Sequence, residues 1–66
     1  MNEADYLKSC KLRNQLRLMQ YDVNLSQKQR KLANEFFKEI GEHPQYPFVH
    51  PDVIRKMISK IEGVCV

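Results

Sequence analysis

The first helical segment of the chain carries apolar residues on two opposite sides. Residues 3–22 contain neither glycine nor proline, and Asn2 is a suitable N-cap with Asp5 three residues later. At about 100° per residue, two apolar clusters separate on this helix. One side carries Leu12, Leu16, Met19 and Val23, and the other carries Leu7, Cys10, Leu18 and Tyr21. A helix in a three-helix monomer has one face to bury, so the second cluster needs its own explanation.

The second helix has clear signals at both ends. Ser26 followed by Gln29 fits a capping box, which predicts a helix over 27–40. Gly41 is a natural residue for ending it in the left-handed conformation. The apolar residues of this segment share one side, as expected for an amphipathic helix with one face to bury.

Prolines separate the second helix from a third. We predict a proline-rich loop over 41–50, in which the residue before each proline is pushed toward extended geometry. Pro51 at the first helical position and Asp52 in the first turn predict a helix over 51–62, ending at Gly63. In the loop, we expect Phe48 and Val49 to cover the core.

The length of 66 residues allows one domain and a small core. We therefore predict a single all-α domain over residues 1–66. Its architecture is a small three-helix domain with a long first helix over 3–22 and a proline-rich loop between helices two and three. Chains below roughly 70–80 residues usually need a further stabilising feature, and a second copy of the chain is one such feature.

Two explanations fit the second apolar cluster of helix one. The helix is bent or is packed between the other two helices, so that both sides are covered. Alternatively, this cluster contacts a partner, most simply a second copy in a two-fold dimer. The predicted partner-binding residues are Leu7, Cys10, Leu18 and Tyr21, together with Tyr46 on the loop. An aromatic residue on a proline-stiffened loop is a typical binding anchor.

The basic residues suggest an anionic partner as the alternative. The chain has 11 Lys/Arg against 8 Asp/Glu, a net charge of +3. Positive charge near a helix N-terminus is unfavourable by about 0.3–1 kcal/mol per exposed residue. The basic residues at the start of helix two, Lys28, Arg30 and Lys31, therefore need an explanation. The candidate anion- or nucleic-acid-binding residues are Lys28, Arg30, Lys31, Arg13 and Arg17. Either these residues form a solvated face, or they bind nucleic acid. In the second case, helix two is the recognition helix that follows a short break at residues 24–26, as in a helix-turn-helix protein.

Other classes of function find little support. No signal segment or membrane span is evident, and Cys10 and Cys65 do not make a disulfide framework, so we expect a cytoplasmic protein with no membrane contact. The spacing of His43 and His50 does not match a zinc motif, so no metal or cofactor is expected. No serine stands beside an activating base, and so short a chain has no deep pocket, which argues against an enzyme.

Two short stretches resemble parts of known families. Asp5-Tyr6-Leu7, followed by a basic helix in a chain of this length, resembles the Hha/YmoA nucleoid-associated family. Residues 50–61, His50-Pro51-Asp52-Val53 through Ile58-Ser59-Lys60-Ile61, are similar to the last helix of co-chaperone aspartate–proline domains. Neither resemblance assigns a role to a residue of this chain.

The function that this pattern favours is protein binding. We expect a small non-catalytic regulatory or adaptor protein that acts through apolar helix surface as a homodimer. The alternative is a small basic nucleic-acid-binding protein, helix-turn-helix-like and of the transcriptional or nucleoid-associated kind.

Overall fold

The computed structural model describes residues 2–64, and in that part three α-helices pack against one another with no strand. They are α1 (Glu3–Met19), α2 (Gln27–Gly41) and α3 (Pro51–Glu62). The prediction of an all-α, three-helix fold is confirmed. None of the three helices has the length and apolar composition needed to cross a bilayer. Cys65 lies outside the described residues.

Local hydrogen bonds begin α1 and α2 where the sequence predicts. The side chain of Asn2 accepts a hydrogen bond from the Asp5 backbone N–H at 2.8 Å. Ser26 and Gln29 form the predicted capping box, in which each side chain accepts a hydrogen bond from the backbone N–H of the other residue. These contacts satisfy backbone donors that have no partner within a helix.

The start of α3 also follows the prediction. Pro51 occupies the first turn of α3, where its missing N–H costs no hydrogen bond. His50 precedes it as the N-cap, and its imidazole Nδ1 accepts a hydrogen bond from the backbone N–H of Asp52.

The first helix is shorter than predicted, ending at Met19 rather than at residue 22. Beyond this point the backbone tightens, since Tyr21 N–H donates to the carbonyl of Leu18 at 3.0 Å. The Asp22 side chain then accepts a hydrogen bond from the backbone N–H of Asn24. Such local side-chain bonds compete with helix continuation. The connection to α2 therefore spans residues 20–26.

The end of α2 also differs from the prediction. Gly41 is the last residue of the helix, one position beyond the predicted range, and it does not adopt a positive φ. The turn falls on Glu42 instead, with φ −101° and ψ 1°, and its N–H donates to the carbonyls of Lys38 and Glu39. The loop before α3 therefore covers residues 42–50 rather than 41–50.

The core lies on the axis where all three helices meet. Its fully buried large side chains are Leu16 of α1, Ile40 of α2, Val49 of the loop, and Ile54 and Ile61 of α3. Val23, which the helical pattern placed beside Leu16, is exposed because α1 has already ended.

Two buried polar side chains connect distant parts of the chain. The Ser9 hydroxyl donates to the carbonyl of Val49 at 2.6 Å. The Gln29 amide nitrogen donates to the carbonyl of Ile61 at 3.1 Å, which fixes the start of α2 against the end of α3. Every buried side-chain polar atom in the described part of the chain has a hydrogen-bond partner.

Candidate functional site

The second apolar cluster of α1 is largely exposed to solvent. Leu7, Leu18 and Tyr21 have 52%, 53% and 72% of their surface exposed, although Leu16 on the same helix is completely buried. Both α2 and α3 pack against α1, and neither covers this side. We call these three residues the exposed stripe. A second helix face that stays uncovered within one chain is surface available to a partner.

The other two predicted partner-binding residues lie beside the exposed stripe. Cys10 is partly buried, and with Tyr46 it lines a groove of about 460 Å³ between α1 and α2. The partly buried Phe37 gives this α1–α2 groove an apolar lining, and the core residue Ile40 borders it with almost no exposed surface. Tyr46 is half exposed, as expected for a residue near the tip of the loop.

Two of the predicted anion-binding residues line the same groove. Arg13 and Arg17 are one turn apart on α1, and both contribute to the groove wall. The Nε and Nη2 atoms of Arg17 donate to the side-chain oxygen of Asn14 at 3.2 and 2.8 Å, which orients the guanidinium group. Beyond these arginines, a hydrogen bond of 2.7 Å from Asn34 of α2 to Gln20 connects α2 to the C-cap of α1.

The arginines of the groove have no acidic partner within the described residues. The ion pairs within 4 Å in residues 2–64 both involve Asp52, with Arg55 at 3.0 Å and with the His50 ring at 3.7 Å. The sequence explains this, because residues 6–21 contain no aspartate or glutamate. The positive charge of the groove is therefore not neutralised by neighbouring carboxylates of α1.

The structure does not bring the remaining basic residues into the groove. Lys28 and Lys31 are exposed at the beginning of α2, and Arg30 is partly buried there. The five predicted anion-binding residues thus divide into a pair in the groove and a group at the start of α2.

An exposed aromatic pair was missed by sequence reasoning. Tyr6 and Phe48 stack with ring centroids 5.2 Å apart and an interplanar angle of 56°. About half of the Phe48 surface is exposed, so the expectation that it covers the core is wrong, whereas Val49 is buried as expected. Tyr6 is also exposed, so the two rings form a small apolar patch on the surface.

Both histidines act in local turns. The Nδ1 atom of His43 accepts a hydrogen bond from the backbone N–H of Gln45, and that of His50 from Asp52, at 3.1 Å in each case. Across residues 2–64, no group of three or more His, Cys, Asp or Glu side chains is placed to hold a metal ion.

Fold and surface together describe a small three-helix domain with an exposed apolar stripe beside a basic groove. Comparison with protein-family models, with curated proteins and with solved structures finds no match to this chain. Its function is therefore inferred from its own surface.

Proposed function

We propose that this chain is a small non-catalytic regulatory or adaptor protein that binds protein through the exposed stripe of α1 and forms a homodimer. The observation that carries the proposal is the exposure of Leu7 and Leu18 on a helix whose opposite side forms the core, together with that of Tyr21 in the turn directly after the helix. Burying apolar surface contributes about 25 cal/mol per Å², and a small core gains the most from such an addition.

The spacing of the stripe suits a second copy of the same helix. Leu7 and Tyr21 are equally far from Asn14 along the chain. If two copies pack antiparallel along α1 around a two-fold axis at Asn14, Leu7 of one copy lies near the turn after α1 of the other, where Tyr21 is. Such an interface uses the same surface on both copies, as the commonest oligomers do.

The serines support a non-catalytic role. Ser9 donates its hydroxyl hydrogen bond to a buried backbone carbonyl, and Ser26 caps α2. Neither is paired with a base that would activate it as a nucleophile, and Ser59 is exposed on α3.

Sedimentation velocity at micromolar concentration tests the dimer. The wild-type chain is expected to sediment at twice its mass of 7.9 kDa. Substituting Leu7→Glu together with Leu18→Glu places two charges in the interface and is expected to give a monomer with the same helix content by circular dichroism. The matched control is Ser59→Glu, which adds a charge at an exposed position of α3 and should leave the dimer intact.

A wild-type chain that is stable and strictly monomeric at these concentrations contradicts the dimer. If the control variant also dissociates, the stripe is not the interface.

Nucleic-acid binding is the second candidate, supported by the exposed Lys28 and Lys31 and the partly buried Arg30 at the start of α2. The connection before α2 spans residues 20–26, however, which is longer than the three or four residues of a helix-turn-helix. The net charge of +3 is also low for a protein devoted to nucleic acid. Binding to duplex DNA over a salt series tests this candidate, because charge reversal at Lys28, Arg30 and Lys31 would remove phosphate contacts and reduce the salt dependence.

A further inference from the structure

We propose that the α1–α2 groove is a second docking site, and that its occupant is an acidic amphipathic segment of a partner protein. This inference rests on the proposed protein-binding function, but it does not require the dimer. Because Asn14 lines the groove and also lies at the proposed two-fold axis, a second copy and a partner segment would share part of this surface. Two properties of the groove carry it: an apolar lining and a wall of arginines without acidic partners.

The lining of the groove accepts apolar side chains. The partly buried Phe37 lines it from α2, and Tyr46 of the loop lines it with half of its surface exposed. A partner segment that buries apolar side chains here gains the usual benefit of removing both surfaces from water. Aromatic residues in such positions are typical binding anchors.

The two arginines that line the groove favour a negatively charged partner segment. Arg13 and Arg17 face the groove, neither lies within 4 Å of a described carboxylate, and residues 6–21 contain no acidic residue. Asn14 holds the Arg17 guanidinium in place, which lowers the entropy cost of its pairing with a carboxylate. Carboxylates on the partner therefore complement the groove.

The arrangement of charges on α2 extends this basic side. Arg30, Asn34, Phe37 and Gly41 lie along one stripe of α2 by helical spacing, and three of them contact α1 or line the groove. Arg30 therefore lies on the α1 side, one turn beyond Asn34. Glu39 is two residues from both Phe37 and Gly41, which is about 200° of rotation, so it lies on the opposite side of α2 from this stripe. The carboxylate of Glu39 is thus directed away from the groove.

A protein segment fits these observations better than nucleic acid. Phosphates would use the arginines, but they would leave the partly buried Phe37 and the half-exposed Tyr46 without apolar partners. An amphipathic helix places apolar residues on one face and acidic residues beside it, which matches both properties of the groove.

Fluorescence anisotropy with a labelled synthetic peptide tests the proposal. The peptide is an amphipathic helix with leucines on one face and glutamates on both flanks. We expect saturable binding to the full chain. Arg13→Gln with Arg17→Gln should weaken it about tenfold, which corresponds to about 1.4 kcal/mol for two partly exposed ion pairs. Tyr46→Ala should also weaken binding with the chain still folded, so the groove is probed independently of the arginines.

Matched controls separate the groove from general charge attraction. Lys56→Gln with Lys60→Gln removes the same charge from exposed positions of α3 and should change the affinity less than about twofold. With glutamine in place of glutamate in the peptide, the arginine substitutions should have no further effect.

Three results would overturn the proposal. One is the absence of saturable binding up to about 1 mM peptide. Another is an equal loss in the α3 control. The third is an oligonucleotide that binds more tightly than the peptide and loses affinity with the same arginine substitutions, which would assign the groove to nucleic acid. A monomer in sedimentation together with normal peptide binding would reject the dimer and leave the groove site standing.

Discussion

The contact made by Ser9 shows how a single polar side chain fixes the loop against α1. Its hydroxyl donates to the carbonyl of Val49, which is 40 positions away in the sequence. Both residues are buried, so no water takes the place of this bond. The next residue along the loop, Phe48, is half exposed and packs in a tilted arrangement against Tyr6 of α1. A buried hydrogen bond and an exposed aromatic contact thus hold neighbouring residues of the loop against α1.

Replacing Ser9 with alanine is expected to destabilise the domain by about 1–3 kcal/mol, because the Val49 carbonyl would remain buried without a donor. Urea unfolding followed by circular dichroism measures the loss. Ser59→Ala is the control, since Ser59 is exposed on α3, and it should change stability by less than about 0.5 kcal/mol. Equal stability of the two variants would mean that the Ser9 bond is not formed in solution.

At the scale of the helix, the sequence and the structure differ in the backbone conformation of Gly41 at the end of α2. From sequence, glycine after an apolar face predicts a left-handed residue that ends the helix. In the structure Gly41 is helical, and a Cβ atom added to it meets no other atom within 4 Å. The two accounts predict opposite effects of adding a side chain.

The substitution Gly41→Ala is expected to stabilise the domain by about 0.4–1 kcal/mol, because alanine restricts the unfolded chain and fits helical geometry. Thermal unfolding should show a higher Tm. A left-handed Gly41 would give the reverse, a loss of about 1–2 kcal/mol from the clash of Cβ with the backbone.

At the scale of the whole molecule, α1 has one side that serves the core and one that is open. Leu16 is completely buried between α2 and α3, whereas Leu18, two positions later, is more than half exposed. Leucine on this helix therefore has two roles, one in the core and one at the proposed interface. The two roles can be distinguished by the concentration dependence of stability, because a core contributes at every protein concentration and an interface contributes only when copies associate.

We expect Leu16→Ala to cost about 2–5 kcal/mol and to leave so small a domain largely unfolded at any protein concentration. Leu18→Ala should leave the stability of the dilute monomer within about 0.5 kcal/mol of the wild type. The rise of Tm with protein concentration should be smaller in Leu18→Ala. Thermal unfolding over a hundredfold dilution series tests both, and a large loss for Leu18→Ala in the dilute limit would place Leu18 in the core.

The sequence by itself determined where the helices begin. Asn2, the Ser26–Gln29 box and Pro51 act within a few residues of the chain, so their hydrogen bonds and dihedral preferences are visible in a short window. The two apolar sides of α1 were visible for the same reason, because helical spacing is a local property.

Only the tertiary structure decided which side of α1 is open and which residues share a groove. Leu16 is buried by helices α2 and α3, which follow later in the chain, and Arg17 lines the same groove as Tyr46 of the loop. Such contacts depend on how distant segments pack, and no local pattern encodes them. The spacing of apolar residues thus predicts that α1 has two apolar sides, but the packing of α2 and α3 determines which of them is buried.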